Sequence, residues 1–215
     1  MENIAARGVT IIIAWLWILP RGSRRKARFP RQMEEIRGRR AMLCFPQMAT
    51  KAQITAEQYL HMTFEHDAEY VRGEIVERSM PDNIHSLIQF LILMEIGRLI
   101  RTHPLFPRPE LRLRLGPRVF RIPDISVFGG QPPQESVPST PPLLVIEILS
   151  KDDRHHNLMQ KLEEYRAWGV ANIWVVDPLA KRLSYYTESG FYNVSSLALA
   201  DYPFELTPAA LFSDL

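Results

Sequence analysis

Two short apolar runs, IPDISV at residues 122–127 and LLVIEILS at residues 143–150, decide the fold of this chain. Both runs are rich in branched side chains, which is typical of strands that are buried on both faces of a sheet. Each run nevertheless contains one acid, Asp124 or Glu147, and a buried carboxylate is costly without a partner. We therefore expect the two acids to share a metal site, with Lys161 of the following helix completing it.

The segments around these runs predict how the strands are connected. Residues 129–142 are rich in proline and contain two glycines, which predicts a surface loop without a helix and antiparallel pairing of the strands on either side. A helix is predicted over residues 153–168, ended by Gly169. The apolar run at residues 173–178 predicts another buried strand. A strand, a helix and a parallel strand in succession form a right-handed crossover.

Further elements are predicted on both sides of this unit. Residues 55–58 have the spacing of a capping box and predict a short helix through Met62, and Gly73 lies in a predicted hairpin turn. A final hairpin is predicted across Ser189 and Gly190. A long helix is predicted over residues 83–102, ended by the prolines that follow it. Its core face is predicted from apolar side chains at helical spacing, namely Ile84, Leu87, Ile88, Leu91, Met94 and Ile100.

Together these elements predict an α/β fold in which a mixed central sheet is flanked by helices. The chain has 215 residues, of which 46% are hydrophobic, and this is enough for one substantial core. We expect a single domain over residues 48–215. Its one cysteine, Cys44, excludes an internal disulfide and favours a reducing, cytoplasmic location. The sequence contains no internal repeat and no glycine-rich phosphate loop.

The positive charge of the chain is concentrated in residues 1–47, which contain ten Lys or Arg and three Asp or Glu, a net of +7. The remaining 16 basic and 21 acidic residues give residues 48–215 a net charge of −5, so the basic pI cannot be used to argue for nucleic acid. The apolar run at residues 9–20 is shorter than the roughly 20 residues that span a bilayer. We expect residues 1–47 to be a disordered extension or to reflect a start assigned too early; contact with a membrane surface and a nucleic-acid-binding arm are the alternatives.

The two strand acids define the chemistry that the site could perform. Carboxylate oxygens suit Mg²⁺ or Mn²⁺, which keep several waters and can promote attack on a phosphodiester. Lys161 is spaced to lie on the buried face of its helix, between Leu158 and Tyr165, and a buried lysine requires an acidic partner. The structural alternative is that Asp124 is a turn residue at a strand end, Glu147 lies at a strand margin, and the long side chain of Lys161 extends to solvent.

Several motifs, taken in order, resemble the Uma-two family, a group of restriction-endonuclease-like proteins within the PD-(D/E)XK nuclease superfamily. They are IPD at residues 122–124, VIEILS at 145–150, Lys161-Leu162, WVVDP at 174–178, the hairpin EYVRGEIVE at 69–77, and His85 at the entry to the long helix. The resemblance extends from about residue 50 to residue 212 and therefore covers everything except the extension.

The resemblance implies a restriction-endonuclease-like core and hydrolysis of DNA phosphodiester bonds with Mg²⁺ or Mn²⁺. Asp124 and Glu147 are then the metal-binding acids, and the backbone carbonyl of Ile148 is an additional ligand. Glu74 is a candidate for a further acid from the N-terminal part of the fold. DNA is the implied partner, and a homodimer is compatible with the family.

The catalytic lysine departs from the superfamily pattern, in which it stands two residues after the glutamate. That position is Leu149 in this sequence. Lys161 is expected to reach the same point in space from the following helix. Lys151 competes for the role because it has the same strand parity as Glu147, but it belongs to a predicted exposed turn.

Basic residues near the two acids are candidates for binding the substrate. His85 could face the site, or it could be a capping or core histidine. Arg112, Arg114 and Arg121 precede Asp124 in a basic run, which predicts either a phosphate track or a solvated strand face. Two functions thus remain at this point. One is a Mg²⁺-dependent endonuclease, and the other is a catalytically inactive module of the same fold that binds nucleic acid or protein.

Overall fold

The computed structural model of the protein describes residues 53–151, 155–213 and 215. Within them the strands are β1 Ala68–Val71, β2 Glu74–Glu77, β3 Leu105–Pro109, β4 Leu113–Gly116, β5 Val119–Arg121, β6 Ile125–Gly129, β7 Leu144–Ile148, β8 Asn172–Asp177, β9 Arg182–Thr187, β10 Gly190–Val194, β11 Leu197–Leu199 and β12 Phe204–Leu206. The helices are α1 Ala56–His61, α2 Asn83–Gly97, α3 His155–Trp168 and α4 Pro208–Phe212. The predicted extension, residues 1–47, lies outside the described part of the chain.

A six-stranded sheet in the order β10-β9-β8-β7-β6-β3 forms the centre of the fold. Strands β7 and β8 are parallel and are joined through α3, whereas the other neighbours in this sheet are antiparallel. Both the antiparallel pairing of β6 with β7 and the parallel crossover are confirmed. The predicted mixed α/β architecture is therefore correct.

The two faces of this sheet have separate cores because side chains alternate along each strand. On β7, Leu144, Ile146 and Ile148 point into a large core that also contains α2 and α4. Val145 points the other way, into a smaller core with Leu162 and Tyr165 of α3. Glu147 has the parity of Val145, so the strand itself directs this acid toward α3.

A second sheet has four strands in the order β2-β1-β5-β4. It packs on α1 through an aromatic cluster of Tyr59, Tyr70 and Phe120. The predicted capping box of α1 is present, because Thr55 accepts from the Gln58 N–H and the Gln58 side chain accepts from the Thr55 N–H. The predicted hairpin turn is also present, with Gly73 at a φ of +102° that favours glycine.

The predicted end of the long helix was wrong. The helix ends at Gly97 and not at residue 102, and the prolines expected to end it instead form β3, an edge strand. An edge strand tolerates proline because its outer side needs no N–H donor.

Its core face is also rotated from the predicted one, since the buried side chains are His85, Ile88, Ile92 and Ile96, whereas Met94 is exposed. Ile100, predicted on the same face, lies in the turn beyond the helix and is exposed. The helix is apolar on most sides, so spacing could not locate its buried face.

The remaining differences are small. The C-terminal β11–β12 hairpin and α4 were not predicted. Of the helices described, none is long and apolar enough to cross a membrane.

Candidate active site

A cavity of about 320 Å³ opens where the β1–β2 hairpin, the start of α2, the end of β7 and the face of α3 meet. The register of β6 and β7 pairs Ile125 with Ile146, and continuing it by one residue places Asp124 opposite Glu147. Both acids are buried, at 4% and 6% exposure, and both line the cavity. The fold therefore brings together the two acids that the strand pattern singled out.

Asp124 is held by three hydrogen-bond donors from three different elements. Its Oδ2 accepts from the Ile148 N–H at 2.7 Å and lies 3.2 Å from His85 Nε2 of α2. Its Oδ1 accepts from Arg78 Nη2 at 2.8 Å. Burial acts to raise the pKa of Asp124, but the hydrogen bond from His85 and the positive charges of Lys161 and Arg78 outweigh it, so this pKa lies below its usual value.

Glu147 has fewer donors and more negative neighbours. Its Oε2 lies 3.0 Å from Lys161 Nζ, and its Oε1 accepts from the Tyr165 hydroxyl at 2.8 Å. Burial raises the pKa of Glu147 to about 7; Lys161 opposes this rise, and the charges of Asp124 and Glu69 reinforce it. Glu147 is thus partly protonated near neutral pH, directly opposite an acid that is fully ionised.

Lys161 bridges Glu147 to a third buried acid, Glu69 of β1. Its Nζ lies 3.0 Å from Glu69 Oε1 and donates to the Ile122 carbonyl at 3.2 Å. Burial acts to lower the pKa of Lys161, but the carboxylates of Glu147 and Glu69 reverse the effect, so the amine stays charged. The expectation that Lys161 has an acidic partner is met by Glu147 and Glu69, while Asp124 is held by Arg78 and His85.

Comparison with known proteins gives this site a family. The family model described as "Putative restriction endonuclease", Uma2, matches residues 56–208, which is well over half of the chain and includes every side chain discussed above. The chain belongs to the Uma2 family. Among functionally curated proteins none matches it.

A solved structure supports the fold of this Uma2 protein. It is the crystal structure of a putative nuclease belonging to DUF820 from Anabaena variabilis, which is similar with a TM-score of 0.68 and 24% sequence identity. The likeness covers 74% of this chain and 98% of that chain. The nuclease-like fold is therefore shared over the described domain.

The acids of the Uma2 site fit a divalent metal. Each carboxylate offers about four lone-pair sites, and Asp124 Oδ1 and both oxygens of Glu147 have one donor each in the contacts above. Among the described residues, no group of three or more His, Cys, Asp or Glu side chains is placed to hold a metal. The two carboxylates of Asp124 and Glu147 suit Mg²⁺, which is commonly bound by one or two carboxylates and completed by water.

The other sequence candidates lie at several places. His85, Arg121 and Ile148 line the cavity together with Asp124, Glu147 and Lys161. Glu74 is exposed on β2 and is not among the residues that line the cavity. Arg112 stacks over the ring of Tyr59 at 4.7 Å, and Arg114 is exposed near Phe120.

The basic run therefore does not form one continuous face. Arg121 is inside the protein, ion-paired to Glu69 at 2.7 Å and to Glu164 at 2.7 Å. Lys151 is exposed and is not part of the cavity wall.

Three side chains that contact Asp124, Glu147 or Lys161 in this Uma2 site were missed from the sequence. Glu69 stands in a short hairpin strand whose polar and apolar residues do not distinguish it from a solvated edge. Arg78 lies in a polar run, Glu77-Arg78-Ser79, that predicts only a strand end. Tyr165 was assigned to the core of α3, and it does pack there, but its hydroxyl also reaches Glu147.

Proposed function

We propose that this protein is a Mg²⁺- or Mn²⁺-dependent endonuclease that hydrolyses phosphodiester bonds in DNA. The observation that carries the proposal is the placement of two buried acids in one cavity, Asp124 directly before β6 and Glu147 on the neighbouring strand β7, with Lys161 Nζ 3.0 Å from Glu147. Family membership supports a nuclease. A cytoplasmic location and action on DNA belong to this proposal.

Asp124 and Glu147 hold the metal in this proposal, with the Ile148 carbonyl as the additional ligand. Bound there, Mg²⁺ supplies an activated water and positive charge at the scissile phosphate. The low pKa of Asp124 keeps it ionised over the whole neutral range, so it is the permanent anchor. Glu147, with a pKa of about 7, must lose its proton before it can act as a ligand.

In this proposal Lys161 holds Glu147 in place and offsets negative charge. It does not transfer a proton, because its neighbours keep it charged. Its positive charge lies beside Glu147, where it stabilises negative charge that develops on the phosphate. Glu69 and the Ile122 carbonyl fix the amine from the side opposite Glu147. This support allows a lysine on α3 to serve where the superfamily pattern has one at the position of Leu149.

The test is cleavage of supercoiled and linear duplex DNA by the full chain with Mg²⁺ or Mn²⁺, compared with Asp124→Asn and Glu147→Gln. We expect each substitution to reduce the rate by about a thousand-fold or more, since each removes a proposed metal ligand. Asp177→Asn, at the end of β8 and outside the cavity, is the matched control and should cleave like the wild type. Cleavage that both site substitutions leave unchanged would refute the assignment. DNA binding without any cleavage would favour the inactive module instead.

A further inference from the structure

Within the described residues, four basic side chains line the active-site cavity: Arg78, His85, Arg121 and Lys161. A DNA phosphate that enters the cavity needs N–H donors, and a donor already committed to a buried carboxylate is costly to withdraw. Which of the four can offer donors follows from counting the hydrogen bonds that each already makes.

Every side-chain nitrogen of Lys161 and of Arg121 already faces an acceptor. An ammonium group has three N–H donors, and those of Lys161 face Glu147, Glu69 and the Ile122 carbonyl. Arg121 directs Nε and Nη2 to Glu164 and Nη1 to Glu69, and its side chain is 5% exposed. The Nε2 of His85 is directed at Asp124. The donors named for Lys161, Arg121 and His85 thus all face acceptors of the protein itself.

Arg78 differs from them in both commitment and position. It follows β2 directly and is 17% exposed, which is more than either Lys161 or Arg121. Its Nη2 donates to Asp124 Oδ1 at 2.8 Å, whereas its Nη1 lies 3.9 Å from Glu110 Oε2, beyond hydrogen-bonding distance. A guanidinium has five N–H donors in a planar fork that matches two phosphate oxygens. Among the described residues, Arg78 therefore has a nitrogen, Nη1, that is not hydrogen-bonded to a carboxylate, whereas every nitrogen of Lys161 and Arg121 faces an acceptor.

We propose that Arg78 is the residue of this site that binds a phosphate of the DNA strand. The inference rests on the proposed nuclease function and names its substrate-binding group. Arg78 donates to Asp124 Oδ1, which has fewer donors than Oδ2, so its positive charge would compete with a cation held by Asp124. Removing Arg78 should consequently weaken DNA binding while leaving metal binding unchanged or stronger. A purely structural role for Arg78 would weaken both.

The experiment measures both ligands on the full chain. Binding of a fluorescein-labelled DNA duplex is followed by anisotropy in Ca²⁺ over a range of KCl concentrations, and Mn²⁺ binding without DNA is followed by calorimetry. Arg78→Ala should bind DNA about ten-fold more weakly or worse, and the slope of log K against log[salt] should fall by about 0.9, the value for one phosphate contact. Its affinity for Mn²⁺ should equal or exceed that of the wild type. Arg182→Ala, which removes an exposed arginine paired with Asp177, is the matched control and should change neither.

Arg78→Lys keeps the charge beside Asp124 and guards against misfolding of the alanine variant. It should keep the wild-type salt slope and bind DNA with an affinity between those of the other two proteins. The inference is overturned if Arg78→Ala binds DNA with the wild-type affinity and slope, or if it loses Mn²⁺ and DNA together. A wild-type protein that cleaves DNA while Arg78→Ala binds it normally refutes this inference alone. A wild-type protein that neither binds nor cleaves DNA refutes the proposed function and this inference with it.

Discussion

Asp124, directly before β6, lies opposite Glu147 of β7; both acids are buried, and their pKa values are displaced in opposite directions. Asp124 receives a backbone N–H, an arginine and a histidine, whereas Glu147 receives a lysine and a tyrosine and lies near two other acids. Burial acts on both in the same sense. The difference shows that the donors around a buried carboxylate, more than its depth, decide whether it is charged.

The comparison also assigns different tasks to the two halves of the site. In the proposed mechanism Asp124 is ready to hold a cation at any pH near neutrality, because its pKa lies below its usual value. The Glu147 half exchanges a proton in the physiological range, so its readiness depends on pH. Three substitutions test this difference between the two acids, and we expect their effects to decrease in the order Asp124→Asn, Glu147→Gln and Tyr165→Phe.

The largest effect on stability is expected from Asp124→Asn. The substitution leaves Arg78 without its carboxylate and forces one amide hydrogen toward existing donors, so the free energy of unfolding should fall by about 3 kcal/mol. Urea unfolding in EDTA measures it. The matched control, Asp177→Asn, breaks a pair with the exposed Arg182 and should cost less than about 1 kcal/mol. Equal losses in the two variants would show that Asp124 is not held as described.

A similar but pH-dependent effect is expected from Glu147→Gln. The folded protein raises this pKa from 4.5 to about 7 and so binds the proton more tightly than the unfolded chain does. The resulting stability is fully present below pH 4.5 and is lost as the pH rises through 7. The stability of Glu147→Gln minus that of the wild type should therefore increase by about 3 kcal/mol between pH 4.5 and pH 8.

Chemical denaturation of both proteins in EDTA across this range measures the difference. Glu163→Gln is an informative control, because hydrogen bonds from Arg166 and Tyr186 lower the pKa of Glu163; its difference should be nearly flat above pH 4.5 and should change, with the opposite sign, only at lower pH. A flat difference for Glu147→Gln would contradict the raised pKa.

The smallest effect is expected from Tyr165→Phe. It removes the hydroxyl that donates to Glu147 Oε1, which should reduce the free energy of unfolding by about 1 to 2 kcal/mol and raise the pKa of Glu147 further. Carbon-detected NMR titration of the Glu147 carboxyl follows the second effect. Tyr186→Phe removes a comparable hydroxyl from the exposed Glu163 and should leave the Glu147 titration unchanged. A lower Glu147 pKa in Tyr165→Phe would contradict the assigned hydrogen bond.

The sequence was most informative where chemistry conflicted with pattern. Asp124 and Glu147 interrupt apolar runs, and Lys161 interrupts the buried face of a helix. Each could be recognised because a charged side chain is costly to bury among apolar ones. Glu69 and Arg78 carry equal weight in the structure but stand in a polar hairpin where charge is ordinary. Their role depends on how the hairpin packs against β6 and α3, which is a tertiary fact with no local signal.

The fold shows the same division. Strands β7 and β8 and the crossover through α3 were predictable because a buried parallel pair leaves a continuous apolar pattern. The buried face of α2 was not, since the helix is apolar nearly all round and its true core stripe, from His85 to Ile96, is one of several possible. Strand β3 was hidden by its prolines, which are tolerated at a sheet edge and elsewhere end structure.

The central claim is that Asp124 and Glu147 hold a divalent metal together. Anomalous diffraction from crystals of the full chain soaked in Mn²⁺ at pH 8 tests it most directly. We expect a manganese peak bonded to both carboxylates in the wild type and no such peak in crystals of Glu147→Gln. A wild-type cavity without manganese, or a peak bonded elsewhere while Lys161 still bridges Glu147 and Glu69, would contradict it.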